Sequence, residues 1–203
     1  MAPSPFQRLL RKAGSTHLQK EGFMNMCQDT YTLKVAGLTR ELALCPVNET
    51  LDIAAFVMFS DVELTIACAT ELLKVVPEHD VLITAESKGI PLAYEMSRQS
   101  GKRYLLARKS KKLYMKNTVE VQVNSITTAN LQKLYLDADD MAYLKGRRVL
   151  LVDDVISTGE SIHALEQLVT HADGEIVGRA CVLAEGDAAK RKDIRYLATI
   201  PLR

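Results

Sequence analysis

The sequence contains no tryptophan, few cysteines and almost no net charge, and these shortages exclude several classes of protein. The four cysteines form no CxxC pair and have no histidine at metal-ligand spacing, so we expect reduced thiols and neither a zinc site nor a disulfide framework. With a formal net charge of +1 there is no general positive field. We therefore expect no nucleic-acid partner, and an anionic ligand must be bound by a local site.

Long hydrophobic runs are also missing. The N-terminal stretch MAPSPFQRLLRKAG has no apolar core suited to a signal peptide, and no segment approaches the roughly 20 apolar residues of a membrane span. These absences predict a cytoplasmic protein without a membrane partner. The 203 residues are 47% hydrophobic, which suffices for one α/β domain with its own core.

Strand and helix patterns alternate along most of the chain. Short strands are predicted at 31–37 and 41–47, with Pro46 ending the second, and apolar residues at helical spacing predict helices over 51–59 and 62–76. Further strands are predicted at 80–85, 103–107, 147–152, 175–184 and 194–200, helices at 90–100 and 160–171, and a long hairpin at 119–123 and 131–137. Continuous apolar strands between helices are typical of a parallel sheet covered on both faces. We therefore predict a single α/β domain over 31–203, with residues 1–30 as an N-terminal helical extension.

The stretch VLLVDDVISTGES places two acids directly after a buried strand. Ligands in such folds lie beyond the carboxyl ends of the strands, so Asp153 and Asp154 are expected at that edge. The following loop can present backbone N–H groups to one anion at a helix N-terminus, and its small hydroxyl side chains suit a phosphate. The acids would repel a phosphate and are expected to face neutral hydroxyls or a cation. A phosphorylated sugar satisfies both requirements.

This stretch resembles the phosphoribosyl pyrophosphate (PRPP) binding motif of the type I phosphoribosyltransferases. The resemblance implies that Asp153 and Asp154 bind the ribose hydroxyls in catalysis. It also implies that the 5′-phosphate is bound by the loop that follows, namely Ser157, Thr158, Gly159, Glu160 and Ser161. A P-loop is excluded because GxxxxGK[ST] is absent from the sequence.

Two further segments carry the same resemblance, and they point to the purine branch, close to the adenine and xanthine enzymes. ITAESKGIP is a second strand-loop-helix, and it matches the family's pyrophosphate loop. ARKSKK follows another strand with a cationic run. The pyrophosphate-binding residues implied by the two segments are Ser87, Lys88, Gly89, Arg108, Lys109 and Lys112. The resemblance also gives Glu86 a catalytic role near the base or ribose.

The rest of the site is implied by the resemblance alone. The hairpin tip resembles the family's flexible loop that closes over PRPP, with Ser125, Thr127 and Thr128 as its candidates. A hood of N-terminal and C-terminal segments is expected to cover the base, with Leu38, Thr39, Arg40 and Glu185 as candidate base-binding residues. Mg²⁺ is expected as cofactor, carried mainly by substrate and water with Asp153 and Asp154 as possible ligands, and a homodimer is expected as the assembly.

The resemblance thus implies a purine phosphoribosyltransferase that converts PRPP and a base to a nucleoside 5′-monophosphate and pyrophosphate, as in purine salvage. Adenine is favoured, because an acid at position 185 would accept a hydrogen bond from its amino group. Hypoxanthine, guanine or xanthine is the alternative base. A PRPP-binding regulator of the purine repressor type is the alternative function, although no winged-helix segment precedes the motif region. Orotate chemistry is disfavoured by ESKGIP and SITT.

Overall fold

A computed structural model describes residues 29–48, 51–124 and 131–201. Its elements in chain order are β1 (Thr30–Val35), β2 (Leu38–Asn48), β3 (Leu51–Ala54), α1 (Val62–Leu73), β4 (Val81–Ala85), α2 (Ile90–Ser100), β5 (Arg103–Ala107), β6 (Val119–Asn124), β7 (Leu131–Leu136), α3 (Ala138–Leu144), β8 (Arg148–Ile156), α4 (Glu160–His171), β9 (Glu175–Glu185), a 3₁₀ helix (Gly186–Lys190), β10 (Ile194–Arg195) and β11 (Ala198–Ile200). The predicted extension over residues 1–30 lies almost wholly outside the described residues.

The central sheet is parallel throughout, which confirms the predicted fold class. Its order is β10-β9-β8-β4-β5, and β11 also pairs with β9. A smaller antiparallel sheet, β1-β2-β3, packs beside it, and β6 and β7 form the predicted hairpin. No helix in the described part of the chain is long and apolar enough to cross a bilayer.

The central strands are buried on both faces, so their sequences are continuously apolar. Alternate side chains point to opposite faces. Ile83 and Leu151 pack with α3 and α4 on one face. Leu82, Leu150 and Val152 pack with α1, α2 and the small sheet on the other.

The helix predicted over 51–59 is wrong. Leu51–Ala54 is β3, which pairs antiparallel with β2, and the N–H of Ala55 continues the ladder to Ala43 O at 2.8 Å. A short apolar run satisfies strand and helix patterns alike, and the partner strand decides between them. Pro46 does not end β2 as predicted, since the strand continues through a register shift between Pro46 and Asn48.

Several other boundaries differ from prediction, and the largest differences are at β8 and at the C-terminal strands. β8 continues past Val152 to Ile156, because Asp153, Val155 and Ile156 still pair with β9. The segment predicted as one strand over 194–200 is divided into β10 and β11. The helix α3, whose N-cap is Asp137, was not predicted from the sequence.

Candidate active site

The acids Asp153 and Asp154 lie inside β8, near its carboxyl end, rather than beyond it. Asp154 is 5% exposed, its N–H donates to Asp153 Oδ1 at 3.0 Å, and its Oδ2 has no hydrogen-bond partner. Burial raises the pKa of Asp153 well above its ordinary value, and the charge on Asp154 raises it further. Burial likewise raises the pKa of Asp154, against an opposing effect of the nearby Lys88 ammonium. The pair therefore favours a hydroxyl donor or a cation as its ligand.

The loop after these acids leads into α4. Gly159 is the N-cap and has a left-handed conformation with φ of +83°, which favours glycine. A glycine cap offers no side-chain acceptor to the N–H groups of the first turn of α4, and such a helix N-terminus suits an anion. A cavity of about 160 Å³ lies against this loop, and its walls include Ser157, Thr158, Gly159, Glu160 and Ser161.

The second loop, Glu86 to Gly89, connects β4 to α2 and lies directly against the acids. Its Glu86–Ser87 peptide bond is cis. A Cβ atom built on Gly89 would overlap Oγ1 of Thr84 and would lie 3.1 Å from Asp153 Oδ1. Thr84 is fully buried and its hydroxyl has no partner. Only glycine therefore fits between this loop and β8.

Glu86 connects the second loop to the cationic segment after β5. Its Oε2 accepts the backbone N–H of Lys109 at 2.9 Å. Its Oε1 lies 3.6 Å from Arg108 Nη2 and 4.0 Å from Lys112 Nζ. Arg108 also exchanges backbone hydrogen bonds with Tyr135 in β7, at 2.9 and 2.8 Å. The carboxylate thus holds three cationic residues beside the loop.

A cavity of about 430 Å³ unites these parts at the carboxyl edge of the sheet. Its polar lining comes from both loops, the acids, the cationic segment and the end of β9, and comprises Glu86, Ser87, Lys88, Lys109, Asp153, Asp154, Ser157, Ser161 and Glu185. The segment from Ile53 to Val57 forms an apolar wall. Two loops suited to anions and two acids therefore open into one space.

The family model of the phosphoribosyl transferase domain matches residues 65–200, which contain both loops, the acids and the cationic segment. The chain belongs to the phosphoribosyltransferase family.

Several proteins of this family are similar to the chain. It is 36% identical to a hypoxanthine/guanine phosphoribosyltransferase of Methanococcus voltae over 116 residues, covering 57% of this chain and 58% of the relative. It is 32% identical to an adenine phosphoribosyltransferase of Thermotoga petrophila over 118 residues, covering 58% of this chain and 66% of the relative. The chain thus spans about three fifths of the length of these curated relatives.

Among solved structures, an adenine phosphoribosyltransferase of Thermoanaerobacter pseudethanolicus superimposes with a TM-score of 0.63 at 17% identity, covering 89% of this chain and 99% of that one. The adenine phosphoribosyltransferase of Leishmania donovani superimposes with a TM-score of 0.59 at 16% identity, covering 92% of this chain and 80% of that one. These likenesses show that the phosphoribosyltransferase fold is shared.

Some predicted residues are not brought to the cavity of this phosphoribosyltransferase fold. Leu38, Thr39 and Arg40 are absent from its described lining. Arg40 Nε donates to Asp61 Oδ2 at 2.7 Å and its Nη2 to Glu63 Oε2 at 2.7 Å. Base binding by these three residues stays a prediction. The predicted flexible-loop residues Ser125, Thr127 and Thr128 lie outside the described residues.

Three parts of the site were not predicted from the sequence. The apolar wall from Ile53 to Val57 was hidden by the helix predicted there. Thr84 is one of five buried residues in β4. Nothing in the local sequence indicates that its hydroxyl lies next to Gly89. Arg191 lies against Gly159 although 31 positions separate them, and its sequence neighbourhood is an ordinary basic stretch.

Proposed function

We propose that the protein transfers the phosphoribosyl group of PRPP to a purine base and releases pyrophosphate. The observation that carries the proposal is the single cavity shared by the two anion-binding loops and the paired acids. PRPP has a phosphate at one end of its ribose and a pyrophosphate at the other, which matches two loops suited to anions and a pair of acids suited to hydroxyls. Membership of the phosphoribosyltransferase family supports the same reaction.

The roles follow from the chemistry of each part. The backbone N–H groups of 157–161 are assigned to the 5′-phosphate, where the α4 dipole adds to the attraction. Asp153 and Asp154 accept hydrogen bonds from the 2′ and 3′ hydroxyls and stabilise positive charge that develops on the ring. The loop residues Ser87, Lys88 and Gly89 bind the pyrophosphate.

The cationic segment is assigned to the leaving group. Arg108, Lys109 and Lys112 would offset the negative charge that grows on pyrophosphate as the bond to C1′ breaks. Glu86 was predicted to be catalytic near the base or ribose. Its carboxylate contacts Lys109 N–H and the Arg108 side chain, which supports a positioning role for it in addition.

Mg²⁺ is proposed as cofactor. Among the described residues, no group of three or more His, Cys, Asp or Glu side chains could hold a metal ion. The two acids, one with an unpartnered buried oxygen, fit a cation that takes most of its ligands from substrate oxygens and water. Bound there, Mg²⁺ would help to neutralise charge on the pyrophosphate oxygens.

The base is proposed to lie between the apolar wall from Ile53 to Val57 and Glu185. Glu185 ends β9 and lines the cavity, where its carboxylate can accept a hydrogen bond from an exocyclic amine. This favours adenine, while an oxopurine remains the alternative because the relatives include both kinds of enzyme.

A homodimer is proposed as the assembly. Several large apolar side chains on the described surface are exposed, including Val62 at 67%, Tyr114 at 67% and Leu113, which is fully exposed. Burial of such side chains against a second copy would be favourable. Light scattering after size-exclusion chromatography tests this assembly, with twice the chain mass expected and the mass of one chain contradicting it.

The substrate assignment is tested by incubating the protein with PRPP, Mg²⁺ and adenine, hypoxanthine, guanine or xanthine in turn and measuring pyrophosphate release. Turnover with adenine alone is expected. Turnover with an oxopurine alone would contradict the role of Glu185 but keep the reaction class. PRPP binding without turnover of any base would favour the regulator.

A further inference from the structure

Arg191 lies where the C-terminal part of the chain returns to the phosphate loop. It follows the 3₁₀ helix after β9, and its N–H donates to Ala188 O at 3.1 Å. A Cβ atom built on Gly159 would lie only 2.8 Å from Arg191 Nη1. The guanidinium therefore lies directly against the loop that precedes α4.

The orientation of this guanidinium is fixed by Asp193. Its Nε donates to Asp193 Oδ1 at 3.0 Å and its Nη2 to Asp193 Oδ2 at 2.6 Å. Nη1, which lies outside this two-point pair, is the nitrogen that faces Gly159. A planar guanidinium held on one edge can present its other edge to a phosphate.

A salt-bridge network ties this pair to the helix that the phosphate loop begins. Arg179 Nε in β9 lies 3.6 Å from Asp193 Oδ2 and also pairs with Glu166 of α4. The negative charges of Glu166 and Asp193 balance the positive charges of Arg179 and Arg191. Arg191 is thus held in a fixed relation to α4 by its own neighbours.

The phosphate loop itself contains no cationic residue. Residues 157–161 include no lysine or arginine, and Glu160 adds a negative charge. A sugar phosphate carries up to two negative charges near neutral pH. Arg191 is a cation from a distant segment that the structure places against this loop.

We infer that Arg191 binds the 5′-phosphate and makes the site selective for phosphorylated ribose. This inference rests on the proposed function, since it assigns a further residue to the proposed 5′-phosphate site. Gly159 also leaves room for Arg191, because any side chain at position 159 would displace the guanidinium.

The test compares ribose 5-phosphate with pyrophosphate as separate probes in calorimetric titrations, both with Mg²⁺. Arg191→Gln is expected to weaken ribose 5-phosphate binding by about 10- to 100-fold, as for loss of a charged hydrogen bond, and to leave pyrophosphate binding unchanged. Arg191→Lys should recover part of the affinity. Lys192→Gln, which removes an exposed neighbouring charge, is the matched control and should change neither ligand.

Equal ribose 5-phosphate affinity in the wild type and Arg191→Gln would overturn the inference. Equal weakening of both ligands would also overturn it, because Arg191 would then act only through folding. If the wild type bound neither ligand, the proposed function itself would fail, and that result is distinct from a failure of Arg191 alone.

Discussion

Asp153 and Asp154 are adjacent acids inside a largely apolar strand, where burial raises the pKa of both and the charge on Asp154 raises the pKa of Asp153 further. Between the ordinary aspartate pKa and the raised values, the folded protein binds more protons than the unfolded chain. The free energy of unfolding due to this pair therefore falls as the pH rises through that range. Acids that destabilise the empty fold in this way are expected where a site is built for a ligand.

Asp153→Asn should therefore raise the free energy of unfolding at pH 7, and the gain should disappear near pH 3. Urea denaturation across this pH range measures it. Asp80→Asn is the control of opposite sign, because Arg148 lowers the pKa of Asp80 to about 2 and the wild-type carboxylate stabilises the fold above pH 4. A destabilised Asp153→Asn protein at pH 7 would contradict this account of the acids.

Gly89 is required for space rather than for backbone freedom, since its φ of −71° is accessible to any residue. Gly89→Ala should reduce turnover by about 100-fold, because its Cβ would push the loop from Glu86 to Gly89 away from Thr84 and Asp153. Thr84→Ala alone should be nearly neutral. Steady-state kinetics of both single variants and the double variant measure the coupling, and the double variant should recover part of the activity. Wild-type turnover in Gly89→Ala would refute the close approach.

The elements of the central sheet could be predicted from the sequence within a few residues, because burial on both faces leaves a continuous apolar pattern. The same rule fails at the small sheet. Leu51–Ala54 is short, and its assignment depends on pairing with β2, which no local pattern contains. The helix α3 was missed because it is only 7 residues long.

Asp61 joins the small sheet to the helix α1. Its side chain accepts the Leu64 N–H at 3.0 Å as an N-cap and also pairs with Arg40 of β2. The hydrogen bond from Arg40 lowers the pKa of Asp61. The ionised Asp61 carboxylate therefore stabilises the fold at neutral pH, and this stabilisation is lost as the pH falls through the lowered pKa.

Asp61→Ala should lower the free energy of unfolding by about 1–2 kcal/mol, because both the cap and the ion pair are lost. Asp61→Asn keeps a capping oxygen and should lose less. Thermal denaturation at pH 7 compares them, and equal losses would contradict the importance of the cap.

At the scale of the whole molecule, the site forms where loops from distant parts of the sequence meet at one sheet edge. The meeting of loops 86–89 and 157–161 could be predicted because each follows a buried strand, and parallel strands end at the same edge. The acids were expected beyond the strand but lie inside β8, near its carboxyl end. The contacts of Thr84 with Gly89, of Arg191 with Gly159, and of the apolar wall with the cavity depend on packing between separate segments. Such contacts leave no local pattern in the sequence.

Asp153 and Asp154 are proposed to bind the ribose of PRPP during phosphoribosyl transfer. The most direct measurement is the yield of nucleoside 5′-monophosphate and pyrophosphate from PRPP, Mg²⁺ and the preferred base, for the wild type and for the folded Asp153→Asn/Asp154→Asn variant. We predict equal amounts of the two products from the wild type and a loss of at least about 100-fold in the variant. Near wild-type turnover in that folded variant would contradict this role of the two acids.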